Sequence, residues 1–203
     1  QGYKNLMKQS GIAQFEGLYY KPRIDKEVLT RHNEGLIALS ACLHGEVPWH
    51  LARNDIETAR AKAIEMQELF GDRYYFELQE NGIAEQKTVN EGLLRLSDEL
   101  GVKVVATNDC HYLNREEAHA HEVLLCIQTG KTITDPNRFR FNSDSFYFKS
   151  PDEMKEIFAY CPEAITNTVE VAERCNLEIN LGDYHFPEFP VPEGETLQSM
   201  FTK

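Results

Sequence analysis

The sequence has no long apolar run. None approaches the roughly 20 residues needed to cross a bilayer, and the opening QGYKNLMKQS holds no hydrophobic stretch of signal-peptide type. No membrane partner is expected, and a cytoplasmic location is. The chain is also poor in basic residues: 21 Lys and Arg stand against 33 Asp and Glu, for a net charge of −12. A segment this acidic is not built to wrap nucleic acid by itself, because phosphate binding wants clustered cations. Cysteine pairs are missing too. The five cysteines, at 42, 110, 126, 161 and 175, are odd in number, scattered and without a CxxC. That pattern suits reduced cytosolic thiols better than a disulfide framework or a zinc knuckle. No internal repeat and no low-complexity tract occurs.

With 41% hydrophobic and 27% charged residues over 203 positions, the composition is that of an ordinary globular protein. There is material for one large domain, or a domain with an appendage. Helices are expected over Tyr3–Phe15, with Leu6, Met7, Ile12 and Phe15 as its apolar residues, and from Asp25, a good N-cap. Gly35–Ala41 reads as a strand. Asn54 is placed as the cap of a helix over Asp55–Leu69, whose Ile56, Ala59, Ala63, Met66 and Phe70 recur at helical spacing.

The aromatic run Arg73–Gln79 reads as a strand closed by Asn81-Gly82. Ala84–Leu100 is a helix with Val89, Leu93, Leu96 and Leu100 on one face and Gly101 ending it. Val102–Ala106 is a short apolar run of the kind a buried parallel strand needs, and it stops at Thr107-Asn108-Asp109. A helix from Arg115 to about Thr129 follows. This βαβαβ succession predicts an α/β fold with parallel strands and right-handed crossovers, either an open sheet or part of a barrel.

Beyond Gly130 comes a polar loop, 131–144, and then Phe146-Tyr147-Phe148 as a possible short strand. Ser150-Pro151-Asp152-Glu153 combines a Ser cap, Pro at the first helical position and a capping-box Glu. A helix over Pro162–Cys175 is expected to turn Ile165, Val169 and Ala172 to one side. Residues 182–194 read as an extended connector, and 196–203 as the start of a further helix.

Functional groups in parallel β/α architectures gather at the carboxyl ends of the strands. Here those ends present Cys42 and His44, then Glu77 and Gln79, then Asp109 and His111. Thiolate, imidazole and carboxylate are ligand types for zinc or a similar divalent ion, which would suit phosphoester hydrolysis. Each has a plainer reading. Asp109 can cap its turn and His111 can be a surface residue. Cys42 can be a small buried residue, and Glu77 can satisfy a buried partner. His44 can be a surface or loop residue, while Cys110 should point away from Asp109 and His111. His119 and His121 lie about 200° apart on a helix and do not pair on one face. Cys126, Cys161 and Cys175 read as core cysteines.

The runs NEGLIALSACLHGEVP (33–48), RYYFELQENG (73–82), VVATNDCHYLNREEAHAHEVLLCIQTGKT (104–132) and PEAITNTVEVAERCNLEINLGDYHFPEFP (162–190) resemble the family of bacterial DNA polymerase III alpha subunits. The likeness is to the C-terminal part of the polymerase and histidinol phosphatase (PHP) domain, over 1–145, and the connector toward the palm, over 146–203. It implies a partial, distorted (β/α)7 barrel with parallel strands, followed by a helical and extended connector.

The resemblance matches Asp109 and His111 to the family's Asp-x-His metal motif and Cys42 to its late Cys or His ligand. Zn2+ or Mn2+ is the implied ion, and a 3′–5′ exonuclease or a non-catalytic scaffold is the implied role. The other ligands are expected upstream, because the one HxH, His119-Ala120-His121, falls on a predicted helix. The chain is thus expected to be an internal piece. The palm aspartates that bind Mg2+ for nucleotidyl transfer are expected beyond it. The implied partners of the parent are DNA, deoxynucleoside triphosphates, a sliding clamp, a clamp loader and a proofreading subunit. A freestanding PHP phosphoesterase is the alternative, disfavoured by the polymerase-like 150–189.

Overall fold

The computed structural model describes residues 1–184 and 186–202. Helix α1 (Gly2–Phe15) is followed by α2 (Lys26–Arg31), which Asp25 caps by accepting from the Val28 amide at 2.8 Å. Next come β1 (Ala38–Leu39), α3 (Glu46–Leu51), α4 (Ile56–Phe70), β2 (Tyr74–Leu78), α5 (Ala84–Leu100) and β3 (Val104–Ala106). A 3-10 turn at Arg115–Glu117 leads into α6 (Ala118–Thr129). After a long irregular loop the chain forms α7 (Pro151–Ile157), α8 (Pro162–Arg174) and the short α9 (Leu197–Phe201). Residues 186–194 of the expected connector carry no helix or strand; His185 and Lys203 lie outside the described residues. No helix among the described residues is long and apolar enough to cross a membrane.

The strands lie side by side in the order β1-β2-β3, all parallel, with Ala38 opposite Tyr74 and Phe76 opposite Val104. The expected α/β alternation is therefore present. The described residues form an open three-stranded sheet and do not close a seven-stranded barrel. The outer edge of β3 is covered by α8, whose Asn167 donates from Nδ2 to the Val104 carbonyl at 2.8 Å. A polar side chain there satisfies a backbone group that a further strand would otherwise take.

Because successive strand residues point to opposite faces, Tyr74, Phe76 and Leu78 share one side of the sheet with Val104 and Ala106. They enter a core with Ala59, Ala63 and Phe70 of α4, Val89, Leu93 and Leu96 of α5, and Phe158, Cys161 and Ala164. Tyr75 and Val105, on the other side, are buried as well. The Tyr75 hydroxyl donates to Glu170 at 2.9 Å and accepts from Arg174 at 2.7 Å. Burial on both faces is why these strands are near-continuous apolar runs.

Several expectations need correction. Strand β1 is two residues long because the carbonyls of Asn33 and Leu36 are taken by the Arg73 guanidinium, at 2.7 and 2.6 Å, and Ala41 turns the chain with φ +63°. The cap of α4 is Asp55, accepting from Thr58 N; Asn54 instead takes a left-handed φ of +58°. Helix α3 had no visible start, since Gly45 gives no side-chain cap, and Pro48 is tolerated in its first turn. The 146–148 strand reduces to a single bridge between Tyr147 and Tyr112.

Helix α1 is turned around: Leu6, Met7 and Phe15 are exposed, while Asn5 and Gln9 are buried and donate to the Glu34 and His32 carbonyls. Helix α8 buries Ala164 and leaves Val169 and Ala172 exposed. Cys175 is exposed and is not a core residue.

Candidate functional site

The loop after β1 is a tight turn in which Gly45 N donates to the Cys42 carbonyl at 2.8 Å. Gly45 packs so closely on Ser40 that a Cβ there would stand 2.0 Å from the Ser40 carbonyl oxygen, so only glycine fits. The turn leaves Cys42 half-buried and His44 exposed. Near the end of β2, the Glu77 carboxylate accepts from Gln79 Nε2 at 2.8 Å and from the Thr107 hydroxyl at 2.5 Å. Glu77 therefore ties the ends of β2 and β3 together, which is the plainer of its two readings.

The loop after β3 is not extended. Asp109 holds a left-handed φ of +50°, uncommon for a residue with a Cβ. Alternation along a strand is thus not what orients Asp109 and His111. The turn instead brings the Asp109 carbonyl oxygen to 2.8 Å from Nδ1 of the exposed His111. An Nδ1–H donated to a carbonyl leaves Nε2 with its lone pair, the arrangement common to metal-binding histidines. The Asp109 carboxylate makes no hydrogen bond or ion pair among the described residues, so it does not cap the turn.

The His111 ring packs on one side against others: Phe141 at 4.9 Å, Phe146 at 5.2 Å and His121 at 5.5 Å between centroids. His121 is stacked on Phe141 at 5.3 Å and 9°. Its pKa is pushed below the ordinary histidine value, by burial first and by His111 second. His121 is the packing residue its helix position suggested, but its partner is the candidate ligand; sequence spacing had no way to show that. His119 is exposed.

Lys149 stands at the centre of a polar cluster beside this turn. It is buried, and burial lowers its pKa, yet its ammonium donates to Asn81, Asn108 and the Ser145 carbonyl. No periodic or motif signal distinguishes it.

The donor types suit a divalent ion, but their number does not make a site. Among the described residues no group of three or more His, Cys, Asp or Glu side chains is placed to hold a metal. Cys42 follows β1 and the Asp109–His111 pair follows β3, with β2 between, a separation of about 10 Å at the usual strand spacing.

Residues 1–81 match the PHP domain family. Over 198 residues the chain is 48% identical to the DNA polymerase III subunit alpha of Campylobacter jejuni, covering 93% of this chain and 16% of that protein. The subunit alpha of Thermus aquaticus is 46% identical over 204 residues, covering 96% of this chain and 16% of its own length. That of Mycobacterium tuberculosis is 41% identical over 198 residues, covering 95% and 17%. The chain therefore spans only 16–17% of the length of these relatives. Along nearly all of its own length the chain is similar to one stretch of the DNA polymerase III alpha subunits, and its first 81 residues match the PHP domain family.

Proposed function

We propose that this chain is a segment of a replicative DNA polymerase, with residues 1–145 the later part of a PHP domain and 146–203 the connector toward the palm. The observation that carries the reading is 41–48% identity to DNA polymerase III alpha subunits across more than nine-tenths of the chain. Template-directed synthesis then belongs to the longer polypeptide, with DNA, deoxynucleoside triphosphates and Mg2+ engaged elsewhere on it. A sliding clamp, a clamp loader and a proofreading subunit are its partners, and its location is cytoplasmic. The open sheet is the downstream portion of a distorted (β/α)7 barrel.

Within that domain Cys42, Asp109 and His111 contribute to a zinc or manganese centre completed by other parts of the polypeptide. The free Nε2 of His111 and the Asp109 carboxylate, which makes no hydrogen bond or ion pair among the described residues, support this assignment. A divalent ion bound there would polarise a phosphoester and activate water for 3′–5′ hydrolysis. This chain's own contribution is to aim His111, through the Asp109 carbonyl, and to pack its ring with Phe141 and Phe146. A second reading, a PHP scaffold without catalysis, is favoured by the absence of a three-ligand group among the described residues.

The deciding experiment is metal analysis of the full-length protein with Asp109→Ala and His111→Ala together. Loss of bound metal is expected. Stoichiometric metal in the double variant would overturn the ligand assignment, and 3′–5′ hydrolysis that persists after metal is lost would favour the scaffold.

A further inference from the structure

A cavity of about 510 Å³ opens between α6 and the loop 138–144, in the size range of small-molecule sites. Neither Cys42, Asp109 nor His111 lines it. Its lining brings together the rings of Phe141, His121 stacked on it, and Tyr112, which lies 5.4 Å from His121. The other lining residues are largely polar, with His119, Arg138, Arg140, Asn142 and Ser143 among them.

The charges around the cavity are not equally available. Arg138 is held by Glu122 at 2.9 Å, and Asp144 by a two-pronged pair with Arg115 at 2.8 and 2.9 Å. Arg140 is exposed and makes no hydrogen bond or ion pair among the described residues. An acidic protein thus keeps, in the lining of a cavity that also holds aromatic, hydroxyl and amide groups, a guanidinium without a hydrogen-bond or ion-pair partner among the described residues.

We propose that this cavity is a subsite for one nucleotide, its base laid on the Phe141–His121–Tyr112 rings and its phosphate held by Arg140 with Asn142 and Ser143. Aromatic faces stack any base, and a guanidinium offers a phosphate two parallel N–H donors. One guanidinium and one stacking platform suit one nucleotide and are too little to hold a duplex, which agrees with the net charge of −12. The source of the nucleotide rests on the polymerase-segment reading: it is the end of a single DNA strand. The binding chemistry stands on the cavity.

The test uses the full-length protein containing this segment. A single-stranded oligonucleotide ending in 5-iododeoxyuridine, and separately free 5-iododeoxyuridine monophosphate, are photocrosslinked and the labelled peptides mapped, with and without EDTA. Label within 112–144 is expected, falling roughly tenfold in Arg140→Ala and in Phe141→Leu and unchanged in Arg95→Ala. Labelling by the oligonucleotide alone supports a strand end, and labelling by both probes supports a pocket for nucleotides at large. Label absent from 112–144 with both probes, or label unaffected by Arg140→Ala, overturns the subsite. Label that survives EDTA keeps the subsite even if the metal assignment fails, and retained metal without label removes the subsite alone.

Discussion

The Nζ of Lys149 lies 3.0 Å from Oδ1 of Asn108 and 3.1 Å from Oδ1 of Asn81, so one buried ammonium ties together the loops that leave β2 and β3. The Ser145 carbonyl takes its third donor. All three N–H groups of the side chain are thereby used, and the Asp109–His111 turn begins at the residue after Asn108.

Replacing Lys149 with Met removes those donors and leaves the buried Asn81 oxygen and two part-buried acceptors without them. The expected loss is about 1–3 kcal/mol of stability, read as a lower urea midpoint at unchanged slope. Wild-type stability in that variant would mean the loops are held by their own backbone.

Glu153 gives a pH prediction. Its carboxylate accepts from the Tyr147 hydroxyl at 2.6 Å, from Ser150 N at 2.8 Å and from the Ser150 hydroxyl at 2.7 Å. These bonds, Tyr147 foremost, lower its pKa from 4.5 to about 2. A depressed carboxylate pKa contributes stability above the unfolded value, and that contribution is lost as pH falls through the folded one. The start of α7 should therefore weaken between pH 4.5 and about 2, and Glu153→Gln should remove this part of the acid sensitivity. A carboxyl NMR titration with a midpoint near 4.5 would show that the capping box does not form in solution.

The thiols should react in the order of their exposure. Cys110 and Cys175 are exposed, Cys42 is half-buried, and Cys126 and Cys161 are buried. Burial, with Glu163 second, pushes the Cys161 thiol up to about 11, which removes the reactive thiolate at neutral pH. Mass spectrometry after brief iodoacetamide treatment should find Cys110 and Cys175 modified first and Cys161 last. Equal labelling of all five would mean that the α5–α8 core opens on that timescale.

Elements specified by neighbours within about one helical turn were legible. The helix Ala84–Leu100 is found with the expected ends, because Val89, Leu93 and Leu96 recur at its period and Gly101 takes the left-handed φ of +68° that stops it. Ser150, Pro151 and Glu153 form the capping box their spacing implies. Apolar content alone misled in α1. Its Asn5 and Gln9 turn inward because the Glu34 and His32 carbonyls, more than 20 residues away in the chain, need donors.

The sequence by itself determined the parallel α/β order, the caps at Asp25, Gly101 and Ser150, and the likeness to one stretch of the polymerase subunits. Those depend on local periodicity, turn chemistry and motif identity, all written within short windows. Only the tertiary structure decided that β1 is cut short by Arg73, that His121 packs against His111, that Lys149 joins two strand-end loops and that Arg140, unpaired among the described residues, lines a cavity with aromatic rings. Each is a relation between residues distant in sequence. Long-range packing and the need to satisfy buried polar groups select among many pairings that local patterns leave equally open.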